Sequence, residues 1–144
     1  MAISAFMRRA AIAGMGLALA FANSTSIADV VAVVSSKSAI TALSKSQIED
    51  IFFGRATHLP AGLQVVPLDQ AEGSSAREEF YAKVAGKSPA QMKAYWSKII
   101  FTGRGQPPKE VTNGTDLRKR LGEDPTAIGY IDASLVNDSV RVVF

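Results

Sequence analysis

A chain of 144 residues with 47% apolar and 20% charged residues carries enough apolar material for one core, which excludes a disordered or low-complexity polymer. Setting Arg8 and Arg9 aside in a leader leaves fourteen basic against thirteen acidic residues, too even a balance for a nucleic-acid partner. There is no cysteine, so disulfides, thiol catalysis and thiolate metal sites are excluded as well.

Residues 1–28 read as a secretory signal peptide, with Arg8-Arg9 followed by a thirteen-residue apolar stretch from Ala10 to Ala22 and a polar stretch from Asn23 to Ser26. Thirteen residues fall short of the roughly 20 that a membrane-spanning helix needs. Small residues at Ser26 and Ala28 favour cleavage after Ala28; Ala20-Phe21-Ala22 offers a second site, after Ala22. The mature domain is then 29–144, a core expected to hold without staples.

From Asp29 to Val34 the chain is apolar at nearly every position, the pattern of a central strand covered by helices on both faces. Ser44 and Gln47 form a capping-box pair ahead of a helix that carries Ile48, Ile51 and Phe52 on one stripe and closes at Gly54. The polar loop from Gly54 to Gly62 holds His58, the single histidine. Without a second ligand at metal spacing, it is assigned no role.

Leu63, Val65, Val66 and Leu68 read as a short buried strand, and Glu72-Gly73-Ser74-Ser75 as the turn that feeds the next helix. Gly73 offers a free φ, Ser74 or Ser75 an N-cap, and the first helical amides lack partners of their own. Those amides, with the positive end of the helix dipole, make this corner either a place for an anion or an ordinary capped helix start. Downstream, Ala76, Phe80, Tyr81, Val84 and Ala85 form the packing face. Arg77 either reaches an anion at the same terminus or pairs with a neighbouring carboxylate.

Gly86 ends that helix and Ser88-Pro89 starts another, with Met92, Tyr95, Trp96, Ile99 and Ile100 forming an aromatic core wall. From Phe101 to Glu110, two glycines and two prolines predict an irregular connector to which Arg104 and Lys109 add positive charge. Thr115 is expected to cap a short helix through Leu121. Ala127–Ile131 reads as a strand whose Gly129 marks close approach of another backbone or a ligand, and Val140–Phe144 as an edge strand. Strands alternating with helices predict an α/β fold with a mixed, largely parallel sheet flanked by helices.

Four pieces in this order resemble the periplasmic phosphate-binding protein family of ABC-type phosphate importers: Leu43–Arg55, Val65–Ser75, Phe101–Gly105 and Asp124–Ile131. The whole mature chain is similar to a short, single-lobe branch of that family. The resemblance implies a periplasmic, non-enzymatic, solute-binding-protein-like domain whose ligand-binding residues are Gln70, Gly73, Ser74, Ser75 and Arg77. Gly73 and Ser74 match the family's phosphate-gripping loop, and Glu72 stands where it has aspartate. Gln70 stands where the gripping arginine is expected, and a glutamine offers only neutral hydrogen bonds in place of a charged bidentate hold.

Family members enclose phosphate between two lobes, and this chain matches one, so phosphate or another small anion is expected to bind weakly. The alternative is a periplasmic protein–protein interaction module with no small-molecule ligand, whose partner is an envelope or membrane protein. No catalytic residues, cofactor, metal or nucleic-acid partner are expected. Asp69 and Glu72 read as turn and capping residues rather than as an acid–base pair.

Overall fold

The computed structural model describes residues 29–144, so the signal-peptide reading and its cleavage site lie outside the described residues. The described residues form five strands and four α-helices in the order β1 (Val30–Ser35), α1 (Lys45–Phe52), β2 (Val66–Gln70), α2 (Ser75–Ala85), α3 (Pro89–Phe101), β3 (Lys109–Val111), α4 (Gly114–Glu123), β4 (Ala127–Asp132) and β5 (Val140–Val142).

The sheet order is β3-β2-β4-β1-β5. β2 runs parallel to β3 and to β4, while β1 is antiparallel to both β4 and β5. Four strands therefore point one way and the second-from-edge strand β1 opposes them, which is the mixed, largely parallel α/β sheet that alternating strands and helices predict. β1 is covered on both faces, as its unbroken apolar run requires. Val30, Ala32 and Val34 join a core with α1, α2 and α3, and Val33 joins a second core with Leu117 and Leu121 of α4. β5 is an edge strand, as expected.

Local signals placed most helix ends. Ser44 and Gln47 make the reciprocal capping box of α1, and Ser88 and Gln91 make one at α3 behind Pro89. Gly86 closes α2 in the left-handed conformation at φ 60°. The cap of α4 is Asn113 rather than Thr115: its Oδ1 accepts from Asp116 N at 2.9 Å, and the helix runs on through Glu123. An asparagine in extended backbone two residues earlier satisfies the same amide requirement.

Four other expectations shift. The second strand starts three residues later and ends two residues later than its apolar run suggests, leaving Leu63 and Val66 exposed and burying Asp69 and Gln70. The connector after α3 hides strand β3, which pairs Lys109 with Leu68 and Val111 with Gln70. The aromatic wall of α3 is only partly core, because Met92 and Trp96 are buried while Ile100 is half exposed. The close approach at Gly129 is made by a side chain: a Cβ there would sit 3.2 Å from Leu117 of α4.

Candidate functional site

The C-terminal end of β2 delivers Asp69 and Gln70 to the point where β4, α2 and β3 meet. Gly73 then turns the chain at φ 88° with open space around it, a conformation that favours glycine. Ser74 caps α2 by accepting from Arg77 N at 3.3 Å. The amides of Ser75 and Ala76 receive no partner from the described residues, as the first positions of a helix predict. Gly73 and Ser75 are exposed, and Ser74 and Arg77 half-buried, so the five residues singled out by sequence do gather at one corner.

Their side chains, however, are largely bonded to one another. Gln70 is buried and its amide is used at both ends: Nε2 donates to Tyr130 O at 2.9 Å and Oε1 accepts from Ser74 Oγ at 3.1 Å. Arg77 donates through one nitrogen to Gln70 O at 3.0 Å and Glu110 Oε1 at 2.8 Å, and its Nε lies 3.8 Å from Asp69 Oδ2. Of the two readings of Arg77, pairing with a neighbouring carboxylate is the one observed. Gln70 sets the position of Ser74, and Arg77 clasps the end of β2 to α2 and β3.

Behind this corner lies a network that sequence reasoning missed. The buried Asp69 carboxylate accepts from Tyr81 Oη at 2.7 Å, from Gln70 N at 2.9 Å and from Tyr130 Oη. Burial pushes the Asp69 carboxyl above the usual carboxylate range, against the pull of Tyr130, Arg77 and Tyr81. Both phenols are raised far beyond the physiological range, by burial first and by the adjacent carboxylate next. Burial lowers the Arg77 guanidinium, but Asp69 and Glu110 outweigh it and hold the charge firmly on. At Asp69 the balance goes the other way, because attraction to one cation does not offset the lost water.

Only position could have revealed this network. Asp69 directly follows an apolar run, Tyr81 lies on the inward face of α2, and Tyr130 alternates inward in β4. Phe80 stacks on Tyr130 at 4.0 Å between centroids and 8° between planes, and this fixes the phenol under Asp69.

His58 is exposed in its loop, with Nδ1 3.1 Å from Thr57 Oγ1. Among the described residues no group of three or more histidine, aspartate or glutamate side chains gathers as a metal site would require.

No protein-family model matches the chain, and no curated protein matches it by sequence. Solved structures do. A phosphate ABC transporter substrate-binding protein of Clostridium perfringens, with bound phosphate, superposes with a TM-score of 0.61 at 23% identity, over 79% of this chain and 43% of that one. An ABC-type phosphate transport receptor of Vibrio cholerae gives 0.62 at 17%, over 79% and 44%. PstS of Borrelia burgdorferi gives 0.55 at 13%, over 79% and 46%. The fold is therefore the one found in phosphate-transporter substrate-binding proteins, and the chain spans less than half the length of these structures.

Proposed function

We propose that the chain is an exported, non-enzymatic solute-binding module, with a phosphate-binding-protein-like domain over 29–144 working in the periplasm, which holds a small phosphate-like anion weakly at the start of α2. The observation that carries this reading is the pair of unpartnered amides at Ser75 and Ala76 beside the Arg77 guanidinium, on a fold shared with a phosphate-bound protein. Gly73 lets the backbone approach, and Gln70 and Ser74 hold the corner in shape.

Weak binding follows from the bonds already made. An anion oxygen must displace Glu110 from Arg77. Isothermal titration of residues 29–144 with phosphate is expected to give millimolar affinity. Glu110→Gln, which frees the guanidinium of an exposed partner, should tighten binding several-fold, about 1 kcal/mol. Arg77→Gln should weaken it by roughly tenfold or more. Absence of heat with phosphate, sulfate and small carboxylates at millimolar concentration, or indifference to Glu110→Gln, rejects this reading.

The second reading, an interaction module for an envelope or membrane protein, is favoured by the same pairing of Arg77 with Asp69 and Glu110, which satisfies the guanidinium without a ligand. The solvent-facing Phe101, 92% exposed beside the half-exposed Ile100, offers such a partner an apolar contact. Pull-down from envelope extracts with wild type and Phe101→Ser discriminates: partner capture lost in the variant supports it, and no specific capture by wild type removes it.

A further inference from the structure

The connector between α3 and β3 leaves a groove at the amino end of β2. The two strands pair from Leu68 with Lys109 onward, so the next partners upstream in that register are Pro67 with Pro108 and Val66 with Pro107. Prolines have no N–H to give a ladder, and the pairing stops there. The gap holds a cavity of about 760 Å³, within the usual range for sites of small organic molecules. Phe53, Val66, Pro67, Tyr95, Ile99 and Pro108 supply its apolar lining, and Val66 is left 38% exposed. Tyr95 offers only its ring, because its hydroxyl donates to Phe53 O at 2.7 Å.

The charges along this groove are of one sign. Arg55, Arg104 and Lys109 line it, and no aspartate or glutamate does. Arg55 is committed to Glu49 and Asp50, each at 3.1 Å. Arg104 and Lys109 make no ion pair among the described residues. Glu110, next to Lys109 in β3, alternates to the other face and is held by Arg77 at 2.8 Å. A single solvated cation on a surface is ordinary. Two beside an apolar wall that carries no acid set a positive potential over a low-dielectric surface, which favours an anion with an apolar body.

We infer that this groove binds a small amphiphilic carboxylate, its apolar body against Val66, Tyr95 and Ile99 and its carboxylate on Arg104 and Lys109. The anion corner lies at the carboxyl end of β2 and contributes none of these residues, so the groove stands whether or not phosphate binds there. Its ligand needs the apolar body that inorganic phosphate lacks.

Titration of the protein with 4-phenylbutyrate, followed by amide nuclear magnetic resonance, is expected to move the signals of Val66, Ile99, Gln106 and Lys109 saturably in the millimolar range. 4-Phenylbutyramide has the same body without the charge and should bind about five- to tenfold more weakly. Arg104→Gln combined with Lys109→Gln should bring the carboxylate down to the level of the amide, read by calorimetry. Phosphate at equal concentration should not displace phenylbutyrate.

Unmoved signals in the wild-type protein overturn the inference whatever the variant does. Equal binding of acid and amide overturns it too, as does full binding by the folded double variant or displacement by phosphate. A short peptide alternating aspartate and phenylalanine that binds these amides more tightly than phenylbutyrate assigns the groove to a protein segment, and a dimer in sedimentation that Val66→Asp disperses assigns it to a second copy; either result overturns the small-molecule site. Movement of the Ser75 and Ala76 amides by phosphate without a phenylbutyrate response removes the groove alone, and the reverse removes the anion corner alone.

Discussion

Asp69 is a carboxylate that the protein has withdrawn from water and surrounded with two phenols, a backbone amide and a guanidinium. Truncation to alanine leaves Tyr81, Tyr130 and Arg77 without their common acceptor, and an unfolding free energy lower by about 3–5 kcal/mol is expected from denaturant titration. Asp69→Asn retains an acceptor and the shape, and a smaller loss of about 1–3 kcal/mol is expected. Because the native carboxyl titrates above its ordinary value of 3.8, the folded state holds this proton at pH values where the unfolded chain has released it. The contribution of Asp69 to stability is thus full below 3.8 and lost as pH rises through the native value. Urea titrations across that window should show wild type losing stability relative to Asp69→Asn as pH rises; a parallel pair of curves refutes this.

At the scale of an element, α2 depends on its first turn. Ser74 both caps the helix and bonds Gln70, so Ser74→Ala should lower stability by about 1 kcal/mol, measured by thermal unfolding, and loosen the corner in which Arg77 sits. If the proposed anion site is right, the same variant also loses phosphate affinity. The legibility of the sequence divides along this line. Helix starts at Ser44, Ser74 and Ser88 announce themselves through side chains that bond backbone three residues away, and a window of four residues contains the whole cause. The boundaries of β2 and the existence of β3 do not. Three-residue β3 exists because Lys109, Glu110 and Val111 lie alongside Leu68, Asp69 and Gln70, a pairing between segments about 40 residues apart that no local pattern carries. For the site, the position of Gly73 to Arg77 was readable, whereas the partners of Arg77 and Gln70 were not. Their partners arrive from β3 and β4, and only the folded sheet brings them there.

At the scale of the molecule, β1 is clasped between β4 and β5, and the pairing of Val30 with Asp132 and Val33 with Val142 joins the beginning of the described chain to its end. Nearly the whole sequence must be present before this strand finds either neighbour. A polypeptide emerging stepwise from a ribosome would therefore stay open and threadable until its last segment appears, since closing a loop of about a hundred residues is entropically uphill without the ladder that rewards it. A fragment spanning 29–126 should give the amide-exchange behaviour of a random coil, and the full 29–144 chain should protect β1 strongly. Slow completion of this kind leaves the apolar run of β1 without strand neighbours until residues 127–142 have arrived.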